Sequence, residues 1–403
     1  MRGYTQKTMS LLASFIIAIF FSFPLTIAAT NASQLDSQST DTTAFDSDTA
    51  AQKSLTDYIK QLEMVYESDN NSDRESNINS LAEDQVGYLR DTYINSGMHI
   101  QNAEIDTKVL TASRDGSDMK IATEMTTVIT YEYRAEDGQH TDYSSSTDIH
   151  NIILKKITGH TYTITSDTLV PEEETDVASS PSSSAPLDIS SDPGLTSEQV
   201  LTQLNSTDMS LPPHPYAGAK PVVEPQLSAD YALKWTAPPY DGDEREDYNS
   251  DYPYNGELHD CTNFLSQAVH AGGLQYQLYD YDPYNSLNWK PTIMFRNGYT
   301  WHNAEASYQY MKKNAYNIFD DIRMDTGSLI YVDWSNSGKM SHALMITSAG
   351  RIFLETGEIR FVPNISQKSR NRHNEPLQTY VARAVKENPN LRWHPLATRW
   401  IPL

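Results

Sequence analysis

Hydrophobic and polar positions along the chain change period several times, and each change marks a different kind of element. Leu55, Tyr58, Ile59, Leu62, Val65 and Tyr66 recur at the three- and four-residue spacing that lines up one helical face. Ile78, Leu81, Val86, Leu89 and Tyr93 predict a second helix. From Met119 to Tyr133 the run is instead rich in Thr, Val, Ile and Tyr, with Ile121, Val128 and Tyr131 typical of strands. Glu136-Asp137-Gly138 supplies a hairpin turn before a strand from Asp142 to Lys155, and Thr161 to Ile164 follows the Thr158-Gly159 turn as a last strand. Two helices followed by a long-stranded antiparallel sheet predict a small α+β unit over residues 52–170.

In outline this order of elements resembles the cone-shaped nuclear-transport-factor-like fold. It contains no catalytic constellation, so its expected role is that of an accessory binding or spacer module. The flanking stretches lack periodicity. Residues 30–51 are rich in Ser, Thr and Asp and hold too few apolar groups to offset ordering entropy, which predicts a disordered spacer. Residues 171–219 have no Lys or Arg, while Glu172, Glu173, Glu174, Asp176 and Asp188 accumulate amid Ser and Pro, which predicts an extended acidic linker as far as Pro193. Within it, Thr196 to Leu204 fits one short helix, with Thr196 and Gln199 at capping-box spacing; Pro212, Pro213 and Pro215 bar a helix further on.

The first residues have the order of a secretory signal, expected to occupy 1–29. Arg2 and Lys7 precede an apolar run from Met9 to Phe23, followed by Pro24 and small residues. An uncleaved anchor is the alternative, since Leu11 to Ala29 nearly reaches the ~20 residues of a spanning helix. Either way the remainder is expected outside the cytoplasm, secreted or on the cell surface.

Charge sharpens the division between the halves. The 403 residues carry a net charge of −23; residues 1–219 hold 12 Lys/Arg against 32 Asp/Glu, and residues 220–403 hold 18 against 21. Such a field repels polyanions, so no nucleic-acid partner is expected. A single cysteine excludes an internal disulfide framework and any multi-cysteine metal site, and no metal or cofactor is expected.

That cysteine lies in the strongest local signal, Asp260-Cys261-Thr262-Asn263-Phe264-Leu265-Ser266-Gln267-Ala268-Val269-His270-Ala271-Gly272-Gly273. Phe264, Leu265, Ala268 and Val269 form an apolar helical face, Asp260 is placed to cap it, and the two glycines end it. Cys261 therefore opens a helix, where the macrodipole favours thiolate and lowers a pKa of ~8.5. A small buried hydrophobe is the bland alternative for a free cysteine. A thiolate nucleophile needs an imidazole, and His342 suits it, at the start of the second strand of a hairpin (Leu329 to Thr347) and on the same face as Leu344 and Ile346. His259, His270, His302, His373 and His394 show no metal-ligand spacing and read as surface or packing residues.

Tyr231-Ala232-Leu233-Lys234-Trp235, Tyr252-Pro253-Tyr254, the Asp260 to Gln267 run, Gly272-Gly273, Trp289, Thr300-Trp301, Gly327 to Tyr331 and Ser341-His342-Ala343 together resemble the bacterial Putative amidase domain family of papain-like cysteine hydrolases, over about 220–385. The resemblance implies a papain-like α+β domain over 220–403. It also implies that the Cys261 thiolate attacks an amide carbonyl, with His342 as general acid and then base. The Cys261 backbone N–H is the expected oxyanion donor; Tyr254 and Asn263 are candidates for a second. Relatives carry a histidine on a later strand that could orient the imidazole. Here Lys368 takes that place, so Asn364, on the same face by period-two counting, is the expected third catalytic residue, with Asn371 behind it. The turn Asp333-x-Ser335-x-Ser337-Gly338 has Leu344 where a calcium loop would put its bidentate carboxylate, so only a hairpin turn is expected. Tyr276 to Asn285, with Trp289 and Trp301, could line a cleft for sugar or peptide, or simply pack the core.

The expected function is an exported cysteine-dependent amidase or peptidase, with a peptide or peptidoglycan-type amide as substrate and association with a cell wall. The alternative is a catalytically impaired cell-surface binding or scaffold protein that retains the fold.

Overall fold

In a computed structural model, residues 41–68, 79–158, 161–171, 192–207, 219–238, 248–254, 256 and 260–402 are described. The expected signal and the acidic stretch 172–191 lie outside them, as does His259. Among the described residues no helix is long and apolar enough to cross a membrane.

Helices α1 (Thr43–Asp46), α2 (Thr49–Glu67) and α3 (Ser80–Asn95) precede the long strands β1 (Met98–Asp115), β2 (Asp118–Ala135), β3 (Gly138–Thr158) and β4 (Thr161–Leu169). The two helices and the antiparallel meander agree with the sequence pattern. Ordered structure nevertheless starts before residue 52. Phe45 is buried, and the Asp48 carboxylate caps α2 by accepting the Ala51 N–H while also binding Arg114 and Tyr162 from the sheet. These are long-range contacts that local composition does not reveal.

Strand β5 (Leu195–Thr196) leads into α4 (Ser197–Leu204), whose capping box between Thr196 and Gln199 forms as its spacing predicts. Then come β6 (Ala219–Pro221), α5 (Pro225–Thr236), α6 (Cys261–Ala271), a small hairpin of β7 (Thr292–Ile293) and β8 (Arg296–Asn297), α7 (Tyr299–His302), α8 (Ala304–Asn314) and β9 (Tyr316–Ile318). The chain closes with β10 (Leu329–Asp333), β11 (His342–Phe353), β12 (Ile359–Gln367), β13 (Arg372–Pro376), α9 (Leu377–Glu387), β14 (Arg392–Thr398) and β15 (Trp400–Pro402).

The architecture is mixed α/β, built on an antiparallel sheet ordered β1-β2-β3-β13-β12-β11-β10-β14-β5, with β4 also on β3 and β9 also on β14. Ser145 and Ser146 of β3 pair with His373 and Arg372 of β13, so the N-terminal meander runs into the C-terminal strands without a break. One core lies under α2 and α3. In the C-terminal half the sheet is covered on both faces. Leu329 and Tyr331 of β10 join Phe264, Leu265 and Trp301 on one side, and Ile330 and Val332 join Val200, Tyr380 and Trp393 on the other. Burial on both faces explains why β10 reads as an unbroken apolar run, each large aliphatic side chain contributing about 1.5–3 kcal/mol.

Candidate active site

Helix α6 is buried from Cys261 through Val269, polar residues included. Those polar residues are engaged in anchoring it. Asn263 Nδ2 donates to the Pro253 carbonyl and to Asp260 Oδ1, Asn263 Oδ1 accepts from Trp301 Nε1 at 2.7 Å, Ser266 Oγ donates to the Trp301 carbonyl, and Gln267 Oε1 accepts from Tyr231 OH. Asn263 is thus fully occupied by structural bonds. At the far end Gly272 lies so close to Ser228 and Val223 that a Cβ would collide with them, while Gly273 adopts φ +102° to end the helix.

The helix start departs from expectation. Asp260 stands at the N-cap, but its carboxylate makes no cap hydrogen bond; it accepts from the Asn263 side chain instead. The leading amides are capped from outside. Ser369 Oγ, in the turn between β12 and β13, accepts from the N–H of Asp260 at 2.7 Å and of Cys261 at 2.9 Å. Cys261 is 3% exposed, and its proximity is felt at β10, where burial first and Cys261 among smaller effects raise the Tyr331 phenol above its usual range.

His342 opens β11 opposite Val332, with its ring edge-on to Trp334 at 6.3 Å between centroids. Its Nε2 lies 2.8 Å from Gln367 Oε1. Gln367 Nε2 faces the Arg370 carbonyl at 3.4 Å, and an amide NH₂ can only donate there, so Oε1 is the acceptor toward the imidazole. In this arrangement a proton on Nε2 satisfies Gln367 and leaves Nδ1 as the basic nitrogen. The two candidate catalytic residues are therefore held by one short segment: Gln367 grips His342, and two residues on Ser369 grips the Cys261 amide.

The side chain that reaches the His342 ring is Gln367, not Asn364. Asn364 Nδ2 reaches toward Tyr131 OH on β2 at 3.4 Å. Gln367 lies three residues from Asn364 and so on the opposite face of β12, the face of Ile365, which packs with Leu344 and Ile346 of β11; the sequence does not show which face of β12 meets His342. Lys368, expected beside the imidazole, has its Nζ 4.7 Å from the centre of the Tyr248 ring, and Asn371 Nδ2 donates to the Thr236 carbonyl.

The Asp333 carboxylate accepts the N–H groups of Ser337 and Gly338, closing the β10–β11 hairpin. His270 and His302 bond backbone carbonyls, His373 stacks on Tyr143, and His394 pairs with Asp192. Trp289 and Trp301 are fully buried and belong to the core, whereas Tyr279 and Tyr281 stand largely in solvent.

Residues 223–389, in the C-terminal half, match the family model described as Putative amidase domain. No curated protein and no solved structure matches the chain.

Proposed function

We propose that the C-terminal half is a cysteine-dependent amide hydrolase of papain-like design, exported from the cell and directed at a peptide or peptidoglycan-type amide. The observation that carries this reading is that Gln367, hydrogen-bonded to His342, stands two residues before Ser369, which holds the start of the Cys261 helix. Gln367 fixes the tautomer that leaves His342 Nδ1 to take the thiol proton. The Cys261 sulfur then attacks the amide carbon. The imidazolium returns its proton to the leaving amine, and water deprotonated by the same imidazole hydrolyses the thioester. The helix N-terminus supports negative charge on sulfur and, through the Cys261 N–H, on the carbonyl oxygen.

Export rests on the leader pattern in the sequence, and a cell-wall substrate on that expected location, rather than on site geometry. The impaired-scaffold alternative drew its force from Lys368 replacing the orienting group; with Gln367 on His342 and Lys368 over Tyr248, that motive weakens. The test is amine release from purified peptidoglycan by the full chain beside Cys261→Ala and His342→Ala. Loss of release in both variants is expected. Release by Cys261→Ala contradicts the mechanism.

A further inference from the structure

The turn that supports the site also obstructs it. An oxyanion stabilised by the Cys261 amide must sit about 2.7–3.1 Å from that nitrogen. Ser369 Oγ already occupies that seat, 2.9 Å from the Cys261 nitrogen and 2.7 Å from that of Asp260. Two oxygens cannot sit on the axis of one N–H. Cys261, His342 and Ser369 are 3%, 7% and 5% exposed, and with Ser369 Oγ on the Cys261 N–H a substrate carbonyl oxygen has no seat on that amide.

The turn is also held in a conformation that its residues disfavour. Ser369 and Arg370 have φ of +65° and +62°, a consecutive left-handed pair without glycine. What holds it comes largely from outside the matched family region. The Arg370 guanidinium donates to the carbonyls of Val170 and Pro171 at the end of β4, the Thr147 N–H on β3 donates to the Asn371 carbonyl, and Arg372 donates to the Thr147 carbonyl and to Asp148.

We infer that the described conformation is a closed one, in which Ser369 stands in for the substrate's carbonyl oxygen and the N-terminal sheet clamps it there through Arg370. Hydrolysis then requires residues 368–371 to swing off the helix start while Gln367, still paired in β12, keeps its hold on His342. This inference rests on the hydrolase reading for its meaning, but its physical content is access to Cys261.

The experiment uses the full-length chain and two variants. Ser369→Gly removes the plugging oxygen and suits the positive φ; Arg370→Ala releases the clamp without touching the plug. Two rates are measured: alkylation of Cys261 by iodoacetamide, located by peptide mapping, and amine release from peptidoglycan. Both variants are expected to accelerate alkylation about tenfold by shifting the closed population toward open, with amine release rising alongside. Faster alkylation without amine release in any protein supports the closed state and removes the hydrolase reading. Amine release by the parent chain with neither rate raised in the variants, or slowed release in Ser369→Gly, overturns the closed state and leaves the hydrolase standing. Should Ser369→Gly fail to fold, the alkylation rate of Arg370→Ala decides alone: an increase supports the inference, and an unchanged rate overturns it.

Discussion

The N-terminal sheet and the β12–β13 segment bury polar groups to different extents. In residues 41–171 most buried polar groups are paired with one another: Tyr58 and His150 share Asp167, Arg90 is tied to Glu83, and Tyr93 meets Ser144; the run of buried polar residues there, Ser144 to Asp148, lies where β3 meets β13. From Ser366 to Glu375, by contrast, ten consecutive polar residues are buried, none more than 8% exposed. Burying such a run is tolerable only if its members are hydrogen-bonded. Here the bonds run outward in three directions, to His342, to the Cys261 helix and to the N-terminal sheet. Concentrated buried polarity marks where the molecule transmits position from one part to another; scattered buried polarity only holds a core.

That contrast can be broken at several points. The largest effect is expected at the reacting pair, where Cys261→Ala or His342→Ala lowers amide hydrolysis on the order of 10³-fold or more with the melting transition preserved, as assayed by turnover and calorimetry. Next comes the junction. Asp148 is buried, and the Arg372 and Arg383 guanidinia outweigh that burial and hold its carboxyl below the usual range. Asp148→Asn leaves two buried cations short of a partner and is expected to cost about 3–5 kcal/mol in denaturant unfolding. If it costs as little as an exposed ion pair, the N-terminal sheet is not gripping the segment.

Acid acts more gently, at one buried histidine of the junction, His373, and one outside it, His302. Burial holds His302 and His373 down to about 4, so both are neutral when folded near neutrality. An unfolded histidine binds its proton near 6.5, so the unfolded state gains protons first and stability falls as pH drops from about 6.5 toward 4. Each contributes roughly 2–3 kcal/mol to that slope, and His373→Gln should flatten it in a pH series of thermal melts. The smallest effect is expected at Gln367. Gln367→Ala should lower turnover about tenfold to a hundredfold through a misplaced imidazole, with stability little changed, and Gln367→Glu should shift the pH profile upward by favouring imidazolium. An unaltered pH profile for Gln367→Glu would remove Gln367 from the positioning role.

Much of this site is legible in the sequence. Spacing alone puts Cys261 at a helix start and His342 at a strand start, because both depend on local periodicity. The polar residues of the Asp260 to Gln267 run are legible as a motif but not as anchors, since their partners Pro253, Trp301 and Tyr231 are distant in the chain. Asn364 was expected in the third position whereas the side chain on His342 is Gln367, because alternation along β12 separates two faces but does not tell which of them meets β11's histidine. The Ser366 to Glu375 run looks like an exposed loop by composition. Its burial follows only from β3 pairing with β13, a contact that spans more than two hundred residues.

The central claim, that Cys261 is a nucleophile served by His342, is tested most directly by intact-mass analysis and peptide mapping of the full chain mixed with peptidoglycan-derived peptides and quenched in acid. The account predicts an acyl adduct confined to Cys261 that decays with water and is absent from Cys261→Ala. An adduct elsewhere, or amide hydrolysis that proceeds unchanged in Cys261→Ala, would contradict it.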